Sequence, residues 1–512
     1  MLEDGQTSSE PMGFCVRYGI GKRPRQLHRL SKYKDLYVEK TTRTPSIDRK
    51  LLWSVISMAM LTFLGILSET SLNIAYSSLM RQYGIEASVV QWLTTGYLLV
   101  LAIVIPSSTY LVRRFSTVRL FQCAVIVFTL GTILGVYAPT FPLLLCARLI
   151  MTIGTGISLP LMTNVVLEKA EFHQRGVLMG VVSLVISAGP AVGPVYGGII
   201  MQYLTWHYIF IIMIPFLLIA IVIGTVSLSD ISRKAEASIS VPSMLLTALG
   251  LGSIMIACSF AYEWHADWRF WLVLAFGVLM MVIFVLLQLR LERPLINVRV
   301  FTHAGFSTGI GTIMISQACV LGINFMLPLL LINGLHHNSM MAALILLPGA
   351  AIGSIVSPKV GSALRFHFAP NLMVAGFLGM IVAAVLMAVL QKQSPIILVV
   401  YVFFMTGASL VATPGQTHSL NQLPASMNAD GSAVLNTLQQ LSGAVGTAVA
   451  STLMTAFQQR ATRSGANFAT SYASAFSNSM PLFIVLMAVA VLLAMMLRRF
   501  GKPKVSLEST EV

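Results

Sequence analysis

The sequence predicts an all-α membrane protein of fourteen transmembrane helices. Of its 512 residues, 56% are hydrophobic and only 10% are charged, whereas a soluble domain carries roughly 25% charged residues. The apolar residues gather into runs of about 20, the length that crosses ~30 Å of hydrocarbon at 1.5 Å per helical residue. Charge falls almost wholly between those runs.

Reading runs between breaker clusters places six helices at 51–76, 88–112, 118–138, 141–166, 176–201 and 206–228. A polar break follows, then helices near 242–262 and 269–290. Six more are expected at 305–332, 340–362, 371–391, 395–419, 432–457 and 480–498. The chain thus divides into a basic tail (1–50), a first bundle (51–228), a linking pair (229–304), a second bundle (305–498) and a short tail (499–512).

An even number of spans puts both termini on one side, and basic loops mark the cytoplasmic side. With the N-terminus inside, cytoplasmic segments hold 27 of the 33 Lys and Arg residues. Outer segments hold Arg81, Arg269, Lys392, Arg460 and Arg463. The net charge of +15 is therefore a topology signal before anything else, and nucleic acid is not an expected partner. The basic tail, from Lys22 to Lys34, is placed to meet anionic membrane lipid. It lacks the short apolar core of a cleavable signal peptide. The five cysteines are scattered singly, which fits neither a disulfide framework nor a metal site.

Two charged residues fall well inside predicted helices, away from their ends: Glu69 in the first and Arg148 in the fourth. Such residues are costly in hydrocarbon and usually face a bundle interior with a partner. Each sits about 10 to 12 Å below the expected outer surface, so pairing is possible. A pair would let protonation of Glu69 respond to access and substrate; a fixed ion pair that merely orders two helices is the alternative.

Around them lie uncharged polar and aromatic residues suited to an adaptable cavity. These are Ser68 and Asn73, then Gln91, Trp92, Thr95 and Tyr97, and later Gln317, Asn324, Asn436 and Gln440. Taken singly, each is more often interhelical glue than a ligand contact. The fifth helix repeats Gly189, Gly193 and Gly197 every four residues. That spacing lines one face with residues lacking side chains, where a neighbour can approach closely. Pro190 and Pro194 should kink the same helix.

From Gly189 to Gly198 the helix reads Gly-Pro-x-x-Gly-Pro-x-x-Gly-Gly. This resembles the antiporter motif of the major facilitator superfamily, in particular its fourteen-helix drug:proton antiporter branch. Arg148-Leu-Ile-Met-Thr-Ile-Gly-Thr-Gly156 resembles the motif whose arginine is implicated in proton transfer, with Met151 at the usual glutamine. Leu67-Ser-Glu-Thr-Ser-Leu-Asn-Ile-Ala75 resembles the acidic first-helix motif, but the acid falls one position late, with Ser68 where an aspartate is common. The stretch 431–448 resembles the branch's thirteenth helix. The family's gating loop after the second helix appears as Thr109–Ser116, with Arg113 at the acid position and Arg114 beside it.

The likeness implies two six-helix bundles of inverted repeats with two additional central helices, and substrate bound between the bundles near the midplane. It implies a multidrug-efflux antiporter in the plasma membrane of a prokaryote, working as a monomer with both termini cytoplasmic. The expected partners are a small-molecule substrate and protons, with no cofactor and no metal. No Gly-x-x-x-x-Gly-Lys-Ser/Thr loop is present to hold ATP phosphates. The rival reading is a transporter of the same fold that carries a lipid, peptide or metabolite, with uptake as well as export open to it. A membrane-embedded enzyme is disfavoured, since His336, His337 and His418 stand beside no acid.

Overall fold

A computed structural model describes residues 48–170, 172–230, 241–260, 264, 267–291, 294, 297–363, 369–424 and 427–500. The basic N-terminal tail lies outside them, as does the side chain of Arg113. The first eight long helices are α1 (Arg49–Tyr83), α2 (Ala87–Val90 continuing as Trp92–Arg114), α3 (Thr117–Val136), α4 (Phe141–Lys169), α5 (Phe172–Tyr203), α6 (His207–Ile211 continuing as Met213–Ser227), α7 (Val241–Phe260) and α8 (Trp268–Arg290). After a short 3-10 turn come α9 (Ala304–Leu329), α10 (Ser339–Ala363), α11 (Ala369–Val389), α12 (Ser394–Leu420), α13 (Asn428–Arg463) and α14 (Phe468–Leu497). All fourteen expected helices are therefore present, and hydrocarbon explains the uniformity, because a helix satisfies its backbone polar groups internally.

Successive membrane-crossing helices must alternate in direction, so with fourteen of them the start of α1 and the end of α14 share a side, here named the termini side, and the α1–α2 loop defines the far side. Among the described residues, eleven helices are long and apolar enough to cross a membrane by length and composition. The α13 helix is not one of them, because Asn436, Gln439, Gln440 and its Gln458–Arg463 end dilute its apolar stretch. It is covered instead by α2, α7, α9 and α14. Hydropathy also shortens some elements. The α1 helix runs on to Tyr83 and α14 begins at Phe468, where Asn467 caps it by accepting from the Thr470 N–H at 2.8 Å.

The packing repeats itself with an offset of eight helices. In the first group α1 lies against α5, α3 against α4 and α6, and α2 against α4. In the second, α9 lies against α13, α11 against α12 and α14, and α10 against α12. The groups meet along α5 with α10 and along α2 with α13. The α7–α8 hairpin falls outside the repeat. Gln288 of α8 donates to Ser243 of α7 at 2.7 Å, and much of α8 faces outward through Trp271, Leu272, Val278 and Leu279.

The glycine stripe of α5 does what its spacing predicts. A methyl group at Gly189 would strike Ile66 of α1, one at Gly193 would strike Thr70, and one at Gly197 would strike the Ser71 carbonyl. Gly198 faces the other way, with the Ser339 carbonyl of α10 at 3.1 Å from where its Cβ would stand. Helix α5 continues unbroken through Pro190 and Pro194. Because rigid α1 backbone blocks Gly197, Gly197→Val should lower the melting temperature of the purified protein by several degrees, at a cost of about 1–3 kcal/mol from overpacking. Gly252→Ala in α7, where a Cβ meets nothing within 4 Å, should leave it unchanged or slightly raised, by the helix propensity gained.

Candidate functional site

The α1 helix crosses the middle of the first group, and four consecutive residues face three different neighbours. Ser68 is fully buried and accepts a hydrogen bond from Nη1 of Arg148 in α4. Glu69 faces a cavity. Thr70 donates to Ile66 O at 3.0 Å and lies 3.3 Å from Gly189 O of α5, and Ser71 underlies Gly197.

Arg148 is wholly buried. Its guanidinium sits 4.6 Å from the centre of the Tyr97 ring, a cation–π arrangement. Its hydrogen bond goes to Ser68 and not to Glu69; Nε and Nη2 have no acceptor. Helices α1 and α4 meet at the level of Ser68 and Arg148. In the pairing that the sequence left open between Glu69 and Arg148, the hydrogen bond falls to the adjacent Ser68, because neighbouring helical residues point about 100° apart at 3.6 residues per turn.

The cavity has a volume of about 310 Å³. It is walled by α1, α2, α4 and α5 from the first group and by α9, α10, α12 and α13 from the second, the same four positions of each repeat. Glu69 is the one charged side chain on its wall among the described residues. Asn73, Gln317, Asn324 and Gln440 supply carboxamides, and Pro190 and Pro194 a firm apolar edge. Asn324 accepts from Tyr401 at 2.9 Å. Asn73 accepts from Thr94 at 3.2 Å, which in turn pairs with Tyr76.

Six residues expected to line the cavity do not. Ser68 is taken by Arg148. Tyr97 is buried, its hydroxyl shared between Thr155 Oγ1 at 2.9 Å and Gly65 O at 3.2 Å. Gln91 and Thr95 bond each other, and Gln91 donates to Ser259 of α7 at 3.1 Å. Trp92 packs against the cluster of Leu98, Met255, Ala444 and Ala448. Asn436 lies one turn from Gln440 towards the termini side, beyond the wall. Conversely, Thr155, Tyr401 and Thr447 line the cavity without having been singled out. Short hydroxyl residues in apolar runs carry little signal, because most bond their own helix.

On the termini side, Arg113 and Arg114 form the last turn of α2 rather than a loop; the chain turns at Phe115 and Ser116. The acid missing from that turn comes from elsewhere. Asp230, after α6, accepts from the Ser116 hydroxyl and from the Val118 N–H at 3.4 Å, capping α3. The Ser116 hydrogen bond, then the Val118 N–H, Arg119 and Lys169, hold its carboxyl below the usual carboxylate range.

With cavity and repeat in view, the class is a multi-pass membrane transporter. The Major Facilitator Superfamily model matches residues 58–447, and the chain belongs to that family. It is a transporter, not an enzyme. The chain is 36% identical over 425 residues to the lincomycin resistance protein LmrB of Bacillus subtilis, spanning 82% of this chain and 88% of that one. It is 37% identical over 410 residues to LmrB of Listeria monocytogenes, spanning 79% and 87%. A crystal structure of a bacterial homologue of the human lysosomal transporter Spinster, inward-facing and unoccupied, shares the fold at TM-score 0.65 and 13% identity. The match covers 89% of this chain and 98% of that one.

Two outcomes are expected from this geometry. Ser68→Ala strips the acceptor from a buried cation and should cost about 1–3 kcal/mol of stability, read as a lower melting temperature, while Ser71→Ala, whose hydroxyl bonds its own helix, should cost far less. Asp230→Asn should lower the melting temperature slightly near neutral pH. Since the folded carboxyl is depressed, that difference is present above the unfolded carboxylate range and should close as pH falls through it.

Proposed function

We propose that the protein exports small lipophilic molecules, drugs among them, in exchange for protons by alternating access. The carrying observation is the cavity between the two groups with Glu69 as its lone charged wall residue. An unpaired carboxylate in an apolar wall is expensive. That cost is removed equally well by a proton or by a cationic substrate, so the two compete for one group, which is the essential requirement of antiport. Arg148 lies close enough to bias Glu69 electrostatically while bound elsewhere.

The wall also bounds the cargo. One carboxylate holds at most one positive charge well, and the carboxamides of Asn73, Gln317, Asn324 and Gln440 offer both donors and acceptors. Neutral or monocationic compounds with hydroxyl or amide groups fit this wall better than dications. The relatives named for lincomycin resistance support drug export and put lincomycin first on a test panel.

The far side is assigned to the exterior, because basic residues concentrate in segments on the termini side. The plasma membrane of a bacterium is the setting that follows. Residues 51–228 and 305–498 are the two units proposed to rock about the cavity, with 229–304 linking them and a monomer sufficient for transport.

In inverted vesicles bearing a proton gradient, Glu69→Gln should reduce gradient-driven accumulation of a monocationic dye at least about tenfold, a loss of roughly 1.4 kcal/mol or more. Equilibrium binding of a neutral substrate should persist. Proton-dependent transport that survives the substitution unchanged would refute the coupling role.

A further inference from the structure

The α7–α8 hairpin stands outside the repeated packing, yet the far end of α7 is bonded to both groups at once. Its attachment to the first group is polar: Gln91 of α2 donates to Ser259 at 3.1 Å. Gln91 is itself fully buried and positioned by Thr95, which bonds its side-chain oxygen, and by the Ser88 carbonyl at 3.2 Å. Its attachment to the second group involves Thr452 of α13. That hydroxyl bonds its own helix at Ala448 O, 2.9 Å away, and lies 3.3 and 3.4 Å from the carbonyls of Cys258 and Ser259. One turn deeper, Met255 is buried in a cluster with Leu98 of α2 and Ala444 and Ala448 of α13. The small alanines let α7 sit close to α13.

These contacts all lie at the far side, where the two groups also touch directly. Gln459 at the end of α13 donates to Glu86 of the α1–α2 loop at 3.0 Å, and Tyr76 of α1 meets Phe325 of α9 with ring centres 5.6 Å apart. Exposing the cavity to the far side requires the groups to part here, which separates α2 from α13. A helix bonded to both cannot keep both bonds through that movement.

We infer that the far end of α7 is a clasp for the far-side-closed state, with Gln91, Ser259 and Thr452 as positioning residues that set how readily the cavity opens to the far side. The α7–α8 hairpin stays with α13, which α7 contacts more extensively than it does α2, and the Gln91–Ser259 hydrogen bond is the one that releases. An uncharged interhelical hydrogen bond in a membrane protein averages about 0.6 kcal/mol. Losing it should raise the ratio of open to closed forms about threefold. The inference depends on alternating access and not on what is carried or whether protons drive it.

The test is the alkylation rate of a cysteine at Leu346, on the α10 wall of the cavity, in a background without the native cysteines. A membrane-impermeant maleimide is applied to intact cells and to inverted vesicles, so the far side is reached in one preparation whichever way the chain is oriented. Ser259→Ala and Gln91→Leu should each raise the far-side rate about threefold. The double variant should be no faster than the quicker single one. Ser243→Ala, which removes the Gln288 contact at the other end of the same hairpin, should leave the rate unchanged. An unchanged rate in Ser259→Ala, additive effects in the double variant, or an equal rise in Ser243→Ala would each overturn the clasp.

Discussion

Hydrocarbon offers no water to a stranded polar group, and that constraint orders most of this molecule. Among the described residues, nearly every buried side-chain hydroxyl and amide has a hydrogen-bond partner, in its own helix or a neighbouring one. Thr62 meets Ser158 at 2.9 Å between α1 and α4, Tyr97 bridges Gly65 and Thr155, and Tyr401 holds Asn324. Polar groups without any such partner therefore stand out. Among the described residues, Glu69, Gln317 and Gln440 face one cavity between the two groups without an interhelical hydrogen bond of their own, which is the ground on which substrate and proton binding are proposed there.

Helix α1 shows how finely that division is made. Ser68 serves the buried Arg148, Glu69 serves the cavity, and Thr70 and Ser71 serve the close approach of α5. Moving the acid by one position relative to the related first-helix motif turns it about 100° around the helix. The arginine is left with a neutral partner and the cavity gains a carboxylate. On the termini side a similar exchange has occurred in space. The acid absent at Arg113 is supplied by Asp230, which caps α3 across the α2–α3 turn.

The helix count and their order were readable from the sequence, because apolar runs of membrane length report directly on the thickness they must cross. So was the α5 stripe, since glycine every fourth residue has one geometric consequence in a helix. The ends of α1, α13 and α14 were not, because their extra turns are largely polar and exposed, so apolar runs do not mark them. Gln91, Thr95 and Trp92 looked like cavity residues for the same reason that Gln317 did: a polar or aromatic residue in an apolar run announces a partner without naming it. Gln91 and Trp92 meet the inserted α7, and Thr95 holds Gln91 in place.

The amino-acid sequence by itself determined that this chain is a fourteen-helix membrane protein, where its two intramembrane charges sit along their helices, and which face of α5 can be approached closely. These are consequences of local composition and of helical periodicity. Only the tertiary structure decided that Arg148 binds Ser68, that Glu69 faces the cavity, and that Gln91 reaches α7. Each of those turns on which neighbour occupies a given 100° sector of a helix, and that is set by packing among segments far apart in the chain.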